Sequence, residues 1–208
     1  MGSVKEIHRL ELNAELYNEE HEALSLNFDV GNIEDKEVFN DFIQKDALKS
    51  TSNGDGVTYI ITNTIREGNN EIVDIVGYYC ISTFALYLED DFDYHEDSIP
   101  EDDKRMHYTP RTAFLINMFA INEKYQDTVY NGKLISDMIM EDIVGHLYDL
   151  SVNVVGGKFI ILCSVPNAIS FYKRNNFTEF DSDMTIFDKY IEGTTPMYIK
   201  MHKDWLRT

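Results

Sequence analysis

The chain has 208 residues, 37 of them acidic and 18 basic, a formal net charge of −19 and an apolar fraction of 43%. That length suits one domain whose core needs neither disulfides nor metals, and the apolar fraction excludes compositional disorder. The charge argues against wide contact with nucleic acid, which is bound by neutralising phosphates, and favours cationic partners or plain solubility.

The opening segment "MGSVKEIHRLELN" lacks the apolar core of a secretory signal. No apolar run approaches the roughly 20 residues of a membrane span. The expectation is a cytoplasmic protein with no membrane contact. "NIEDKEVFNDFIQKDALKS" sets Val38, Phe39, Phe42 and Ile43 at helical spacing, with acids in the first turn, and reads as an amphipathic helix. "SNGDG" is a turn cluster, "VTYIITNTI" a strand, "REGNNE" a second turn and "IVDIVGYYCISTFAL" the next strand, together an antiparallel hairpin.

Residues 89–103 hold nine acids and read as a solvated loop. "RTAFLINMFAINE" is nearly all apolar, as a central strand buried on both faces should be. From Lys133 onward, Leu134, Ile135, Met138, Ile139, Ile143, Leu147 and Leu150 form one helical face. "GGKFIILCSV" is a further buried strand, and Pro166 suits the start of a short helix over "PNAISFYKRNN". Strand-like runs near "MTIFDKYI" and "PMYIKMH" close the chain. With no internal repeat and no linker, the expectation is one domain over residues 1–208. The fold class is α/β (α+β), a mixed, mostly antiparallel central sheet with helices on both faces. Cys80 and Cys163 lie in strand-like runs and read as core thiols.

Two segments then line up: the strand 111–122 with its loop and the helix from Lys133, and "KFIILCSVPNAISFYKRNNF" over 158–177. Together they resemble the acyl-CoA-binding motifs of the GNAT superfamily, the acyl-CoA-dependent N-acetyltransferases. Ala168, Phe171, Tyr172, Asn176 and Phe177 follow that family's Ala-x-x-Phe-Tyr-x-x-x-Gly-Phe pattern, with Asn176 in place of the glycine. Asparagine also tolerates a positive φ. "NMFAIN", "IVGYYCIS", "FNDFIQKDAL" and "PMYIKMH" resemble other family elements, so the resemblance covers most of the chain from about residue 37. The departure lies in "YQDTVYNGKLIS". Either Gln126 holds the first position of the family's Gln/Arg-x-x-Gly-x-Gly/Ala loop, with five residues inserted after it, or Asn131 holds it. In both alignments Leu134 and Ser136 stand where glycines are usual.

The resemblance implies acetyl-CoA as co-substrate and transfer of its acetyl group to a primary amine of an acceptor, small molecule or protein. It implies that backbone N–H groups over Gly132, Lys133, Leu134, Ile135 and Ser136 hold the pyrophosphate at a helix N-terminus. It assigns the thioester and pantetheine to the backbone of Phe119, Ala120 and Ile121. Tyr172 becomes the general acid for the departing thiolate, since a phenol near pKa 10 is protonated at neutral pH. Asn167 either orients the cofactor or caps its helix.

No acid lies inside "FLINMFAIN", so no general base is identified. The acidic segment 89–103 stands where a cationic acceptor would enter, or is merely solvated. His95 and His107 match no metal-ligand spacing. Three function classes follow: an acetyltransferase of an unidentified amine, a toxin-like enzyme acting on aminoacyl-tRNA, and a non-catalytic acyl-CoA-binding module. Lys133, Lys158, Lys173 and Arg174 are the few candidates for a basic face. Family members are often dimers, so a homodimer is possible.

Overall fold

The computed structural model describes residues 5–33, 35–67, 70–89, 108–186 and 192–201. The chain falls into two compact units, one of Met1–Ser82 with Ile116–Ile143 and the other of Thr83–Leu115 with Val144–Thr208.

The first unit is built on β2 (Leu12–Leu16), β3 (Val57–Glu67), the leading part of β4 (Asn70–Glu89) and the trailing part of β5 (Tyr108–Ile121). β2 pairs antiparallel with β3, and β3 with β4. The β3–β4 register slips between Ile61 and Thr62, whose partners are Gly77 and Ile75, so Val76 is an extra residue in β4. Its carbonyl is not wasted: the N–H of Asn122 donates to it at 2.8 Å. β-Branched and aromatic residues dominate both long strands, as a pleated, half-buried surface favours. A Cβ on Gly77 would stand 2.6 Å from the Ala120 carbonyl oxygen, so the glycine permits a close approach of β4 and β5.

The expected helix after residue 32 is present in three pieces: α2 (Lys36–Asp41), a π turn over Phe42–Asp46, and α3 (Ala47–Asn53), preceded by a short α1 (Glu22–Ser25). In the π turn the N–H of Ala47 donates to the Phe42 carbonyl. The Tyr78 hydroxyl donates to the Phe39 carbonyl at 2.7 Å, and the Phe42 ring stacks on Tyr78. Tyr17, Phe28, Val30, Ile43, Ala47, Ile60, Ile75, Tyr78 and Ala120 make the core of this unit.

A second, three-stranded sheet of order β1–β6–β7 also lies in the first unit. It joins β1 (Lys5–Glu6), β6 (Thr128–Tyr130) and β7 (Lys133–Leu134). Helix α4 (Ile135–Asn153) begins directly after β7, so Lys133 and Leu134, expected in the helix, are strand residues. Its buried face is Ile135, Ile139, Met140, Ile143, Val144 and Leu147. Met138 and Leu150, expected on that face, are half-buried; the 3.6-residue period carries Met140 and Val144 inward instead.

In the second unit the leading part of β5 pairs parallel with β8 (Phe159–Ser164), from Ala113–Phe159 to Leu115–Ile161. β11 (Thr195–Lys200) pairs antiparallel with β8 and with β9 (Thr178–Glu179), and β10 (Met184–Thr185) with the end of β4. The core here is Leu86, Ala113, Leu115, Phe159, Ile161 and Ile186. Short helix α5 (Ile169–Arg174) follows a 3-10 turn begun by Pro166, as expected. The fold class is therefore the expected α/β one, with a mixed, mostly antiparallel strand arrangement. Cys80 is buried, Cys163 half-buried, and neither is in a disulfide.

Candidate functional site

The first group of expected residues lies in the first unit. β5 leaves its ladder with β8 after Leu115 and continues to Ile121. Phe119 is half-buried, while Ala120 and Ile121 are buried. The strand ends in a tight 3-10 turn over Glu123–Tyr125, where the Asn122 side chain accepts from the Lys124 N–H at 3.2 Å. Gln126 follows. Its side-chain amide donates to the carbonyl of Ile121 at 2.9 Å and to that of Val30 at 3.0 Å. In this structure Gln126 is therefore a clamp on the strand end.

The segment "DTVYN" is not a slack insertion. Thr128, Val129 and Tyr130 form β6, which pairs with β7 through Val129–Leu134 and Tyr130–Lys133. The two residues between, Asn131 and Gly132, have φ of 50° and 78°. Two residues of positive φ are what the tightest hairpin turn demands, and Asn-Gly is the pair that supplies them. β6 also pairs parallel with β1. Gly132 is thus a hairpin residue two positions ahead of Leu134, and a Cβ there would meet nothing within 4 Å. The turn is open on that side.

Ile135 is fully buried and fixes the first turn of α4, and Ser136 beside it is half-buried. A 19-residue helix presents unsatisfied N–H groups and a positive dipole end here, which suits an anion. Two side chains modulate that field. Asp137 places an acid in the first turn, and Lys133 pairs its ammonium with the Glu141 carboxylate. One turn further, burial and the neighbouring Glu141 raise the Asp142 carboxyl above its ordinary value, against a lowering by Lys133.

The second group lies in the second unit. Tyr172 is on α5, buried, and its phenol is pushed well above its ordinary value by desolvation. Its hydroxyl has no hydrogen-bond partner among the described residues. Its position is set by the helix end. The Asn176 N–H donates to the Lys173 carbonyl at 3.2 Å and the Phe177 N–H to the Tyr172 carbonyl at 3.0 Å. These are the paired bonds of a Schellman cap. Asn176 takes the left-handed conformation, φ 67°, so asparagine fills the place expected of the glycine. Asn167 is exposed in the 3-10 turn and makes no capping bond; of its two expected roles, capping is not the one the geometry provides.

Lys173 pairs with Glu179 at 2.6 Å, and Arg174 lies over the Phe171 ring at 5.6 Å. The main part of the acidic segment, with His95 and His107, lies outside the described residues. Among the described residues there is no group of His, Cys, Asp and Glu fit to hold a metal, and no helix is long and apolar enough to cross a membrane. A cavity of about 520 Å³ in the second unit is lined by Thr83, Phe84, Ala85, Pro110, Arg111 and Thr112 and contains none of the expected residues.

No family model and no curated protein matches the sequence. Solved structures do match in fold. A protein described as a bacterial toxin superposes with a TM-score of 0.59 at 19% identity, over 92% of each chain. AtaTR bound with AcCoA superposes with a TM-score of 0.60 at 16% identity, over 91% of this chain and 94% of that one. AtaT complexed with acetyl-methionyl-tRNAfMet gives 0.60 at 16% identity, over 91% and 95%. The chain shares the fold of these proteins, the fold that its resemblance to the GNAT superfamily implies.

Proposed function

We propose that the protein is an acetyl-CoA-dependent N-acetyltransferase and that its acceptor is the amino group of an aminoacyl-tRNA. The observation that carries the catalytic reading is Tyr172: a buried, protonated phenol, unbonded among the described residues and fixed by a Schellman cap that uses Asn176 and Phe177. In the reaction the acceptor nitrogen attacks the thioester carbonyl carbon, the C–S bond breaks, and the thiolate takes the Tyr172 proton. A phenol is suited to this because it is neutral at working pH; burial keeps Tyr172 protonated, and the thiolate's negative charge at the moment of C–S cleavage draws the proton across. The amine attacks in its neutral form, and the proton that its nitrogen sheds as the C–N bond forms passes to water and restores the Tyr172 phenol.

Acetyl-CoA fits the first unit chemically. The N–H groups from Gly132 through Lys133, Leu134, Ile135 and Ser136 would take the pyrophosphate, and the backbone of Phe119, Ala120 and Ile121 the acyl-pantetheine. Asn167 would orient the cofactor through its exposed amide. The Lys133–Glu141 pair and Asp137 weaken the positive field at this helix end, so modest affinity is expected. AcCoA in the AtaTR complex supports the co-substrate, and the acetyl-methionyl-tRNAfMet bound to AtaT supports the acceptor.

One observation favours a second acceptor class. A net charge of −19 opposes a polyanionic substrate and attracts a small cationic amine such as a polyamine or aminoglycoside. A thiol-release assay with acetyl-CoA separates the two, run with methionyl-tRNA, spermidine, an aminoglycoside and lysine peptides. Release with methionyl-tRNA, lost in Tyr172→Phe, supports the first reading. Release with the small amines alone selects the second. Acetyl-CoA binding without release to any acceptor makes the protein a binding module.

A further inference from the structure

We propose that the first strand, Lys5–Glu6 with Ile7, is a positioning element of the acyl-CoA site: by docking on β6 it holds the hairpin that sets the first turn of α4. The proposal rests on the reading of that helix end as the pyrophosphate site.

The bonding is explicit. β1 pairs parallel with β6, Lys5 beside Thr128 and Glu6 beside Val129. The Lys5 N–H donates to the Asp127 carbonyl at 3.3 Å and the Ile7 N–H to the Val129 carbonyl at 3.0 Å. β6 in turn pairs with β7, and β7 passes into α4 with no residue between Leu134 and Ile135. Whatever fixes the register of β7 therefore fixes the phase and direction of the N–H groups at residues 135–137.

The hairpin needs that support. It has only the two pairs Val129–Leu134 and Tyr130–Lys133, and its loop holds both central residues at positive φ. A lone two-stranded hairpin is marginal in water, and a third strand is what makes such a sheet persist. Other anchors stop short of the tip. Thr128 is buried and its hydroxyl donates to the Gln126 and Lys124 carbonyls, and Ile135 is buried at the far end. Between them, Val129 is paired with both β1 and β7, and Tyr130 with β7.

Linkage gives a test that needs no mutation. If β1 strengthens ligand binding, ligand must strengthen β1 by the same factor. Saturating acetyl-CoA is expected to slow amide exchange at Ile7 in the intact protein, together with Leu134 to Ser136. Unchanged exchange at Ile7 beside slowed exchange at Ser136 overturns the proposal. The variant arm uses Ile7→Pro, which removes the donor to Val129, with Ile7→Val, which keeps it. Losing a backbone bond of this kind predicts about a tenfold rise in the Kd and KM for acetyl-CoA in Ile7→Pro, with kcat nearly kept and Ile7→Val like the parent. Equal Kd values in both variants overturn the proposal. An intact chain that shows no acetyl-CoA binding overturns the functional reading itself, and the proposal with it.

Discussion

The N–H of Phe177 donates to the carbonyl of Tyr172 at 3.0 Å, and the two rings meet edge to face with centroids 5.5 Å apart. The backbone bond and the ring contact belong to one device, the helix cap with its hydrophobic closure. It depends on Asn176 staying at φ 67°. Asn176→Gly should keep or slightly raise stability. Asn176→Val should lower it by about 1–2 kcal/mol, because a β-branched residue is strained at positive φ. Urea unfolding measures both, and equal midpoints for the two variants would remove the cap as the device that fixes Tyr172.

Tyr172→Phe keeps the ring packing and deletes only the hydroxyl. The expected outcome is a fall in kcat of about 10²–10⁴ with little change in the KM for acetyl-CoA. Steady-state kinetics on whichever acceptor proves active measures it. A variant with full kcat removes the acid role.

Gly77 faces backbone. An added Cβ would lie 2.6 Å from the Ala120 carbonyl oxygen and 2.9 Å from the Ile121 side chain. The carbonyl oxygen cannot swing aside as a side-chain tip can. Gly77→Ala should therefore cost about 1–3 kcal/mol by overpacking, read as a lowered unfolding midpoint. By contrast, Gly132→Ala meets nothing within 4 Å at φ 78°, so its cost of about 1 kcal/mol is conformational alone.

Burial holds the phenols of Tyr78, Tyr79 and Tyr172 well above their ordinary value. The fold thus favours the protonated form. The associated stability is complete below the unfolded pKa of about 10 and is lost as pH rises through the higher folded values. Unfolding midpoints should stay level with respect to these groups up to about pH 10 and then fall, with phenolate absorbance appearing as the fold is lost. Native-state titration of these three groups near pH 10 would contradict the burial.

Gln126→Leu removes both bonds of its amide and leaves the Ile121 and Val30 carbonyls to find other donors. A loss of about 1–3 kcal/mol is expected. Gln126→Glu should behave similarly, since a carboxylate cannot donate to a carbonyl.

The long apolar strand expected over 111–122 and found at Tyr108–Ile121, the helix that follows the loop and the Pro166 helix start were all legible because period and composition are local properties. So was Asn176, since the ability to hold a positive φ belongs to the residue itself. The loop was harder. "TVYNGKL" carries an Asn-Gly pair between strand-forming residues, a hairpin signal in its own right, but the same residues also align with a glycine-rich helix start that lacks its glycines. Nothing near Lys5 in the sequence announces that it pairs with Thr128, because the partner is more than a hundred residues away. Gln126 showed its type but not its target, since Val30 reaches it only through the fold. The Lys133–Glu141 pair lies eight positions apart, spans strand and helix, and follows no helical spacing rule.

The Tyr78 hydroxyl and the π turn have a consequence for relatives of this chain. The turn contains one residue more than a regular helix needs, so the faces of the helix before and after it are out of step by about 100°. Deleting one residue between Phe42 and Asp46 would bring them back into step and turn the residues after the deletion by about 100° relative to Phe39. Ile43 and Ala47 would then swing away from the core that they share with Tyr78, while the Phe39 carbonyl stayed with its hydroxyl. The extra helical residue and the tyrosine one sheet layer away should therefore be gained or lost as a pair, a covariation between an insertion and a side chain that position-by-position comparison would score as two unrelated changes.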